Sequence, residues 1–185
     1  MRSRPALAAL SLAGALALGC VPLVEIDAPD IEITQPNLPF PAAPASVTSV
    51  AALFKFSTAK LGAAGKPDAG TLKNIKRLQI TRVVFKADSG IEDFSFLDHL
   101  TVDAANLGYA TQSSPGQPVI QIIDYQAPDQ GTGGSALQLA LSPPVDMLPL
   151  WGHTTVYVTV TATGALPTVA WSMDVGFSLS LKIDQ

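Results

Sequence analysis

Residues 169–183, VAWSMDVGFSLSLKI, place Val169, Trp171, Met173, Val175, Phe177, Leu179, Leu181 and Ile183 at the odd positions, with small or polar residues at nearly every even one. A period of two gathers all eight on one face of an extended chain, whereas helical spacing would scatter them around the circumference. The run predicts a strand of about 50 Å at roughly 3.3 Å per residue, with Gly176 placed for a bend. GALP ahead of it supplies a turn through Gly164 and Pro167.

The same period recurs upstream. TTVYVTVTAT at 154–163 sets Val156, Val158 and Val160 against threonines and Tyr157, while LTVDAANL at 100–107, PVIQIIDYQ at 118–126 and SALQLALS at 135–142 also read as strands. In LQITRVVFKA at 78–87 the apolar phase slips from Leu78 and Ile80 to Val83 and Phe85, which predicts a bulge. Two stretches are ambiguous. Residues 46–62 admit a short helix or a strand at 52–58, and TLKNIKRL at 71–78 puts Leu72, Ile75 and Leu78 at helical spacing for barely two turns.

About seven short strands with one greasy and one wet face, broken by Gly, Pro and Asn, predict an all-β, antiparallel two-sheet sandwich with minor helical turns. Its style is that of immunoglobulin or fibronectin domains, without the Cys…Trp…Cys mark of true immunoglobulins; a small β-barrel is the alternative.

The amino terminus breaks this pattern. MRSRPALAALSLAGALALGC carries Arg2 and Arg4, then an uncharged apolar run from Pro5 to Leu18, then Gly19 and Cys20. That is the layout of an export signal. A run of about fourteen residues is short of the twenty or so that cross a bilayer as a helix, so cleavage is expected rather than a permanent span. LALGC at 16–20 resembles the lipobox of bacterial lipoproteins, with Ala17 where that family prefers leucine. The resemblance covers the first twenty residues and implies acylation of Cys20 as the new amino terminus. Cys20 is the one cysteine of the chain, and lipidation accounts for an otherwise leftover thiol in an exported protein. One fatty chain anchors only marginally, at about 0.8 kcal/mol per buried methylene, whereas the three that the resemblance implies hold permanently. Aspartate after the cysteine would favour inner-membrane retention; Val21 stands there, which points to the outer membrane in a diderm source.

Six of the fifteen prolines, at 22, 29, 36, 39, 41 and 44, fall within residues 21–46. This reads as a tether, reaching at most roughly 80 Å when extended. Within it, residues 24–34 carry Val24, Ile26, Ile31 and Ile33 in two alternating pairs around Pro29, a possible edge strand. The acidic residues Glu25, Asp27, Asp30 and Glu32 lack the glycine and closing glutamate of a calcium loop and read as a solvated edge. The expected organisation is a signal peptide at 1–19, a lipidated cysteine and tether at 20–46, and a sandwich at 47–185.

Composition narrows the partners. Without its first nineteen residues the chain keeps 9 basic and 15 acidic residues, a net charge of about −6. No Lys/Arg cluster interrupts this balance, which disfavours nucleic acid. G-x-S-x-G and H-E-x-x-H are both missing. The histidines are His99 and His153, and the loop reading of His153 makes a zinc site an unfavoured expectation. DSGIEDFSFLDHL at 88–100 is the densest mixture of acids, aromatics and histidine, so Asp93, Asp98 and His99 form the candidate catalytic cluster, against a bland reading as a hairpin with Phe94, Phe96 and Leu97 pinned inside. In style the stretch is similar to parts of uncharacterised bacterial envelope lipoproteins with β-sandwich domains. APDQGTGGSA at 127–136 lacks the residues of a phosphate loop and reads as a turn. PPVDMLPLWG at 143–152 either caps the core or, if exposed, offers Met147, Leu148, Leu150 and Trp151, with His153 beside them, as a binding surface.

The sequence thus predicts a non-catalytic lipoprotein held to the envelope membrane through Cys20, without cofactor or metal, serving as a structural or protein-interaction module. The alternative is a surface ligand-binding or adhesive module, for example for glycans, working through the loops at 127–134 and 143–153. A glycan site of that kind needs Tyr125 and Trp151 exposed.

Overall fold

The computed structural model describes residues 25–57, 75–106, 119–127, 134–150 and 155–184. Eight strands run through them in chain order: β1 Glu25–Phe40, β2 Ser49–Ser57, β3 Ile75–Ser89, β4 Leu97–Ala105, β5 Val119–Gln126, β6 Ala136–Asp146, β7 Thr155–Gly164 and β8 Trp171–Asp184, with one 3₁₀ turn at Leu148–Leu150. Two four-stranded sheets result, ordered β1-β8-β3-β6 and β2-β7-β4-β5. Every pairing is antiparallel. Inward residues of both sheets share one apolar core, in which Val83, Phe85, Leu100, Val102, Val160, Met173 and Val175 are wholly buried. The antiparallel sandwich expected from the period-two runs is therefore present.

Its connectivity is finer than periodicity reveals. An immunoglobulin-style chain pairs its first two strands within one sheet. Here β1 and β2 lie in different sheets, β8 returns beside β1, and β7 returns beside β2. Two four-stranded sheets with that nested order make a jelly roll.

The C-terminal ribbon begins two residues later than its alternation suggests, since the chain is still turning at Val169, which is 56% exposed. From Trp171 to Leu181 the odd residues are all buried. Gly176 makes no break: β8 stays in regular register around it with Thr34 on one side and Val84 on the other. The bend expected there is replaced by bulges in the flanking strands, one falling between Ile80 and Arg82 where the phase slip of β3 foretold it.

A second bulge explains why residues 71–78 look helical. Ile75 pairs with Ile183 and Arg77 with Lys182, so one extra β3 residue sits between them. The insertion flips the alternation, and Ile75 and Leu78, three apart, both face the core. From Ile75 onward the segment is strand; Leu72 lies outside the described residues. Residues 49–57 likewise settle as β2 rather than helix.

The proline-rich segment departs furthest from expectation. Residues 25–40, assigned to the tether with an edge strand at 24–34, form a sixteen-residue strand at the sheet edge, paired only with β8. Register shifts between Ala28 and Ile31 and between Gln35 and Leu38 bracket Pro29 and Pro36. An edge strand with bulges tolerates residues that lack an N–H. β6, the opposite edge, accommodates Pro143 and Pro144 in the same manner, skipping from Ala140 to Val145 in its pairing with β3. Beyond β1, Ala43 is buried and donates its N–H to Pro167 O at 3.0 Å, so residues 41–48 are part of the domain too. The sandwich therefore includes residues 25–46, which the tether reading left outside it.

Strand direction defines two ends. The proximal end holds the start of β1 and the finish of β8, paired through Glu25 and Asp184. The distal end is closed by aromatic rings: Phe40 stacks on Trp171 at a centroid distance of 4.1 Å and 7°, and Phe96 meets Trp171 edge-on at 5.2 Å.

Candidate functional site

The candidate cluster Asp93, Asp98 and His99 is not assembled. Asp93 sits in the link between β3 and β4, where its Oδ1 accepts the Ser95 N–H at 2.9 Å. Hydrogen bonds from the Ser95 side chain and backbone hold its carboxyl below the usual carboxylate range. Asp98 is exposed and falls in the register shift between Leu97 and His99, whereas His99 takes the outward phase with Thr101 and Asp103. His99 pairs instead with Asp124 of the neighbouring strand, Nε2 to Oδ1 at 2.6 Å, on the open outer face of the second sheet. The two are diagonal cross-strand neighbours, since His99 faces Gln126 in the ladder. The Phe94 and Leu97 side chains are buried, as the hairpin reading expects.

On the same face, burial raises the carboxyl pKa of Asp103 above its ordinary value, and the negative charge of Asp124 adds to the effect. Among the described residues no group of three His, Cys, Asp or Glu side chains stands close enough to share a metal ion.

The loop offered as a binding surface turns inward. Met147 and Leu150 are 8% and 1% exposed, and Leu148 is partly buried against the core. The Met147 N–H reaches Leu78 O at 2.8 Å, and Asp146 caps the turn by accepting the Leu148 N–H at 2.9 Å. Those three residues cap the sandwich rather than present a patch, because the proximal core needs a lid of apolar side chains. Trp151 and His153, like Cys20 and the export segment, lie outside the described residues. Tyr125 is buried, so it is no part of an exposed aromatic platform.

A concavity does exist, on the outer face of the first sheet, with a volume of about 250 Å³. Register builds it. Three rows of outward side chains cross the strands: Glu32, Ser178 and Arg82 in one; Thr34, Gly176, Val84 and Gln138 in the next; Asp174 and Lys86 in the third. The outer rows carry the charged pairs Glu32 and Arg82, with Ser178 between them, and Asp174 and Lys86, and on β6 they end in Ala140 and Ala136. The middle one has no side chain at Gly176, so a trough runs across the strands between two charged walls. A Cβ added at Gly176 would meet nothing closer than 3.8 Å. The missing side chain therefore leaves open space rather than relieving a clash.

The walls are partly fixed. Arg82 Nη2 binds Glu32 Oε1 at 2.9 Å and its Nε donates to Ser178 Oγ at 3.2 Å, while Asp174 Oδ1 accepts the Asn37 N–H at 2.9 Å. Asn37, at φ 50°, occupies the left-handed region that asparagine tolerates best among side-chain-bearing residues, at the bulge that turns its N–H toward Asp174. No sequence motif marks this site, since its residues come from β1, β3, β6 and β8. The one local signal is the blank position at Gly176 between Asp174 and Ser178.

No protein-family model matches the chain, and no curated protein does. A chain of Desmodium yellow mottle tymovirus aligns over 100% of this chain and 97% of its own, at 11% identity and a TM-score of 0.26. At that score the likeness carries no argument. Among the described residues no helix is long and apolar enough to cross a membrane, which says nothing of strands that do so.

Proposed function

We propose that this chain is an exported lipoprotein of the bacterial envelope, anchored through Cys20, whose jelly-roll sandwich serves as a non-catalytic structural or interaction module. The observation that carries the reading is LALGC at 16–20 behind a short charged and apolar leader. The dispersal of Asp93, Asp98 and His99 supports the non-catalytic half of it. The position of β1 adds a consequence: four residues, 21–24, separate Cys20 from the first strand, and they span at most about 17 Å. The proximal end of an anchored sandwich therefore stands next to the headgroups, with the distal aromatic end facing away, instead of swinging on a long tether. In a diderm source Val21 directs the protein to the outer membrane.

The decisive experiment is the mass of the mature protein isolated from membranes, beside a Cys20→Ala variant. Acyl mass on a chain starting at residue 20, lost together with membrane association in the variant, is the expected result. An unmodified thiol in the parent protein overturns the proposal. The ligand-binding alternative draws its support from the trough of the first sheet, not from the loops at 127–134 and 143–153.

A further inference from the structure

Resting on that ligand-binding alternative, and independent of the anchor, we propose that the trough on the outer face of the first sheet binds a short neutral oligosaccharide lying across the strands, with Gly176 as its floor. Dimensions come first. Side chains two residues apart along a strand are about 6.6 Å apart, so the two charged walls stand roughly 13 Å apart at their bases, and the three strands that carry them, at about 4.8 Å spacing, give a walled length of roughly 10 Å that opens toward Gln138 on β6. A di- or trisaccharide fits such a slot.

Charge selects against other polymers. Glu32 and Asp174 carry two negative charges, and Arg82 and Lys86 two positive ones, so the walls are balanced and attract neither a polyanion nor a polycation at long range. An extended peptide is also a poor occupant. β8 and β3 are central strands whose backbone groups are spent on ladders to both neighbours, leaving no main-chain partners for a peptide's own N–H and C=O groups. Hydroxyl groups have different needs: each donates and accepts. Carboxylates, an ammonium, a guanidinium and the Gln138 amide, arrayed on opposite walls and at one end, satisfy both functions. The side chains of Lys86 and Gln138 have no hydrogen-bond partner among the described residues, so they meet a ligand without first breaking a contact. No aromatic ring takes part, so single-site binding is weak.

The test uses the full mature chain, isotope-labelled and held in detergent micelles. Cellotriose, maltotriose and triacetylchitotriose are titrated in at millimolar concentration, with oligogalacturonate and chitosan oligomers as charged comparators. At least one neutral trisaccharide is expected to shift the amide signals of Thr34, Val84, Gly176 and Gln138. Gly176→Val fills the floor at ordinary contact distance on an exposed surface, so it is expected to melt within a few degrees of the parent while binding at least tenfold more weakly. Lys86→Met is expected to weaken binding several-fold. Binding that persists in a folded Gly176→Val variant, or shifts confined to another face, overturns the site. A Gly176-dependent response to the charged oligomers alone overturns the ligand class and leaves the ligand-binding reading standing. No response to any of the five overturns both.

Discussion

The two ends of the sandwich are built from different materials. At the distal end the Phe40–Trp171 stack and the edge of Phe96 fill the space between sheets, with Phe94 1% exposed beside Phe96. Backbone bonds brace the loops there: Gly164 donates to Thr48 O at 3.0 Å and Ala165 to Phe96 O at 2.9 Å. Gly164 is indispensable to that brace, because at φ 146° a Cβ would stand 2.2 Å from Phe96 O. The proximal end mixes aliphatic side chains with Phe56 and Phe177. Leu78, Ile80, Ile122, Leu150, Val156 and Leu179 line a small concavity of about 30 Å³ there, beside the 3₁₀ turn. Its lining is wholly apolar, which offers water no hydrogen bond. Stacked rings and backbone bonds lock one end, whereas the other, where β1 begins and β8 ends, keeps an apolar concavity among its described residues.

Trp171→Ala probes this contrast most strongly. It removes a buried ring sandwiched between two others, a loss of about 3–5 kcal/mol for a large aromatic. In a domain of this size each kcal/mol moves the melting point by about 2–4 °C, so thermal unfolding should fall by roughly 10 °C or more. Trp171→Phe is the informative partner, because the buried indole N–H has no hydrogen-bond partner among the described residues. It should recover most of the loss, since phenylalanine keeps the stack and removes an unsatisfied donor. Equal losses in the two variants would mean that indole size, not ring stacking, holds this end.

A single methylene then separates the ends by sign. Val156→Ile extends into the proximal concavity and should stabilise by up to about 0.8 kcal/mol, the worth of one buried CH₂. Val175→Ile, at a wholly buried site in the distal half of β8, has no such space and should cost about 1–3 kcal/mol by overpacking. Denaturant unfolding of both variants checks the pair. Stabilisation by both would show that the distal core is as loose as the proximal one.

The fold was legible where one residue follows another in simple alternation. From Trp171 to Leu181, and in Val156, Val158 and Val160, side-chain period and burial coincide, and these strands needed no tertiary information. Legibility failed at bulges. Ile75 and Leu78 mimic a helix because an extra residue between them reverses the strand's faces, and a period of three cannot be told from that reversal in eight residues of sequence. Pro29, Pro36 and Pro39 disguised β1 as a tether, since a proline signals a loop unless the strand is known to be an edge. Strand order was out of reach, being a property of pairings between residues such as Thr34 and Gly176 that local patterns do not encode. The trough inherits that blindness. Thr34, Val84, Gln138 and Gly176 are unremarkable one at a time and form a site only through register. The candidate cluster at Asp93, Asp98 and His99 failed for the converse reason: adjacency in sequence did not make a site, because Asp98 falls in a register shift while His99 turns to Asp124 of the next strand.

The smallest expected effect concerns two carboxylates whose signs oppose each other. Asp93, in the distal link, is held below its usual pKa by Ser95, so its ionised form favours the folded state above the ordinary carboxylate pKa of 3.8, and that contribution disappears on acidification. Asp103 lies toward the proximal end of β4, and burial with Asp124 nearby raises its pKa. Its folded form resists ionisation, so this group leaves stability untouched below pH 3.8 and costs stability as the pH rises through the raised value. Asp103→Asn removes that cost. The variant should match the parent in acid and exceed it at neutral pH by less than about 1 kcal/mol, the scale of a partly solvated charge interaction. Urea unfolding at pH 3 and pH 7 measures the difference, and the gain should persist in high salt to the extent that burial outweighs repulsion from Asp124. A gain that vanishes in salt would make Asp124 the dominant cause; an equal gain at both pH values would mean that asparagine acts through packing and that ionisation of Asp103 costs the fold nothing.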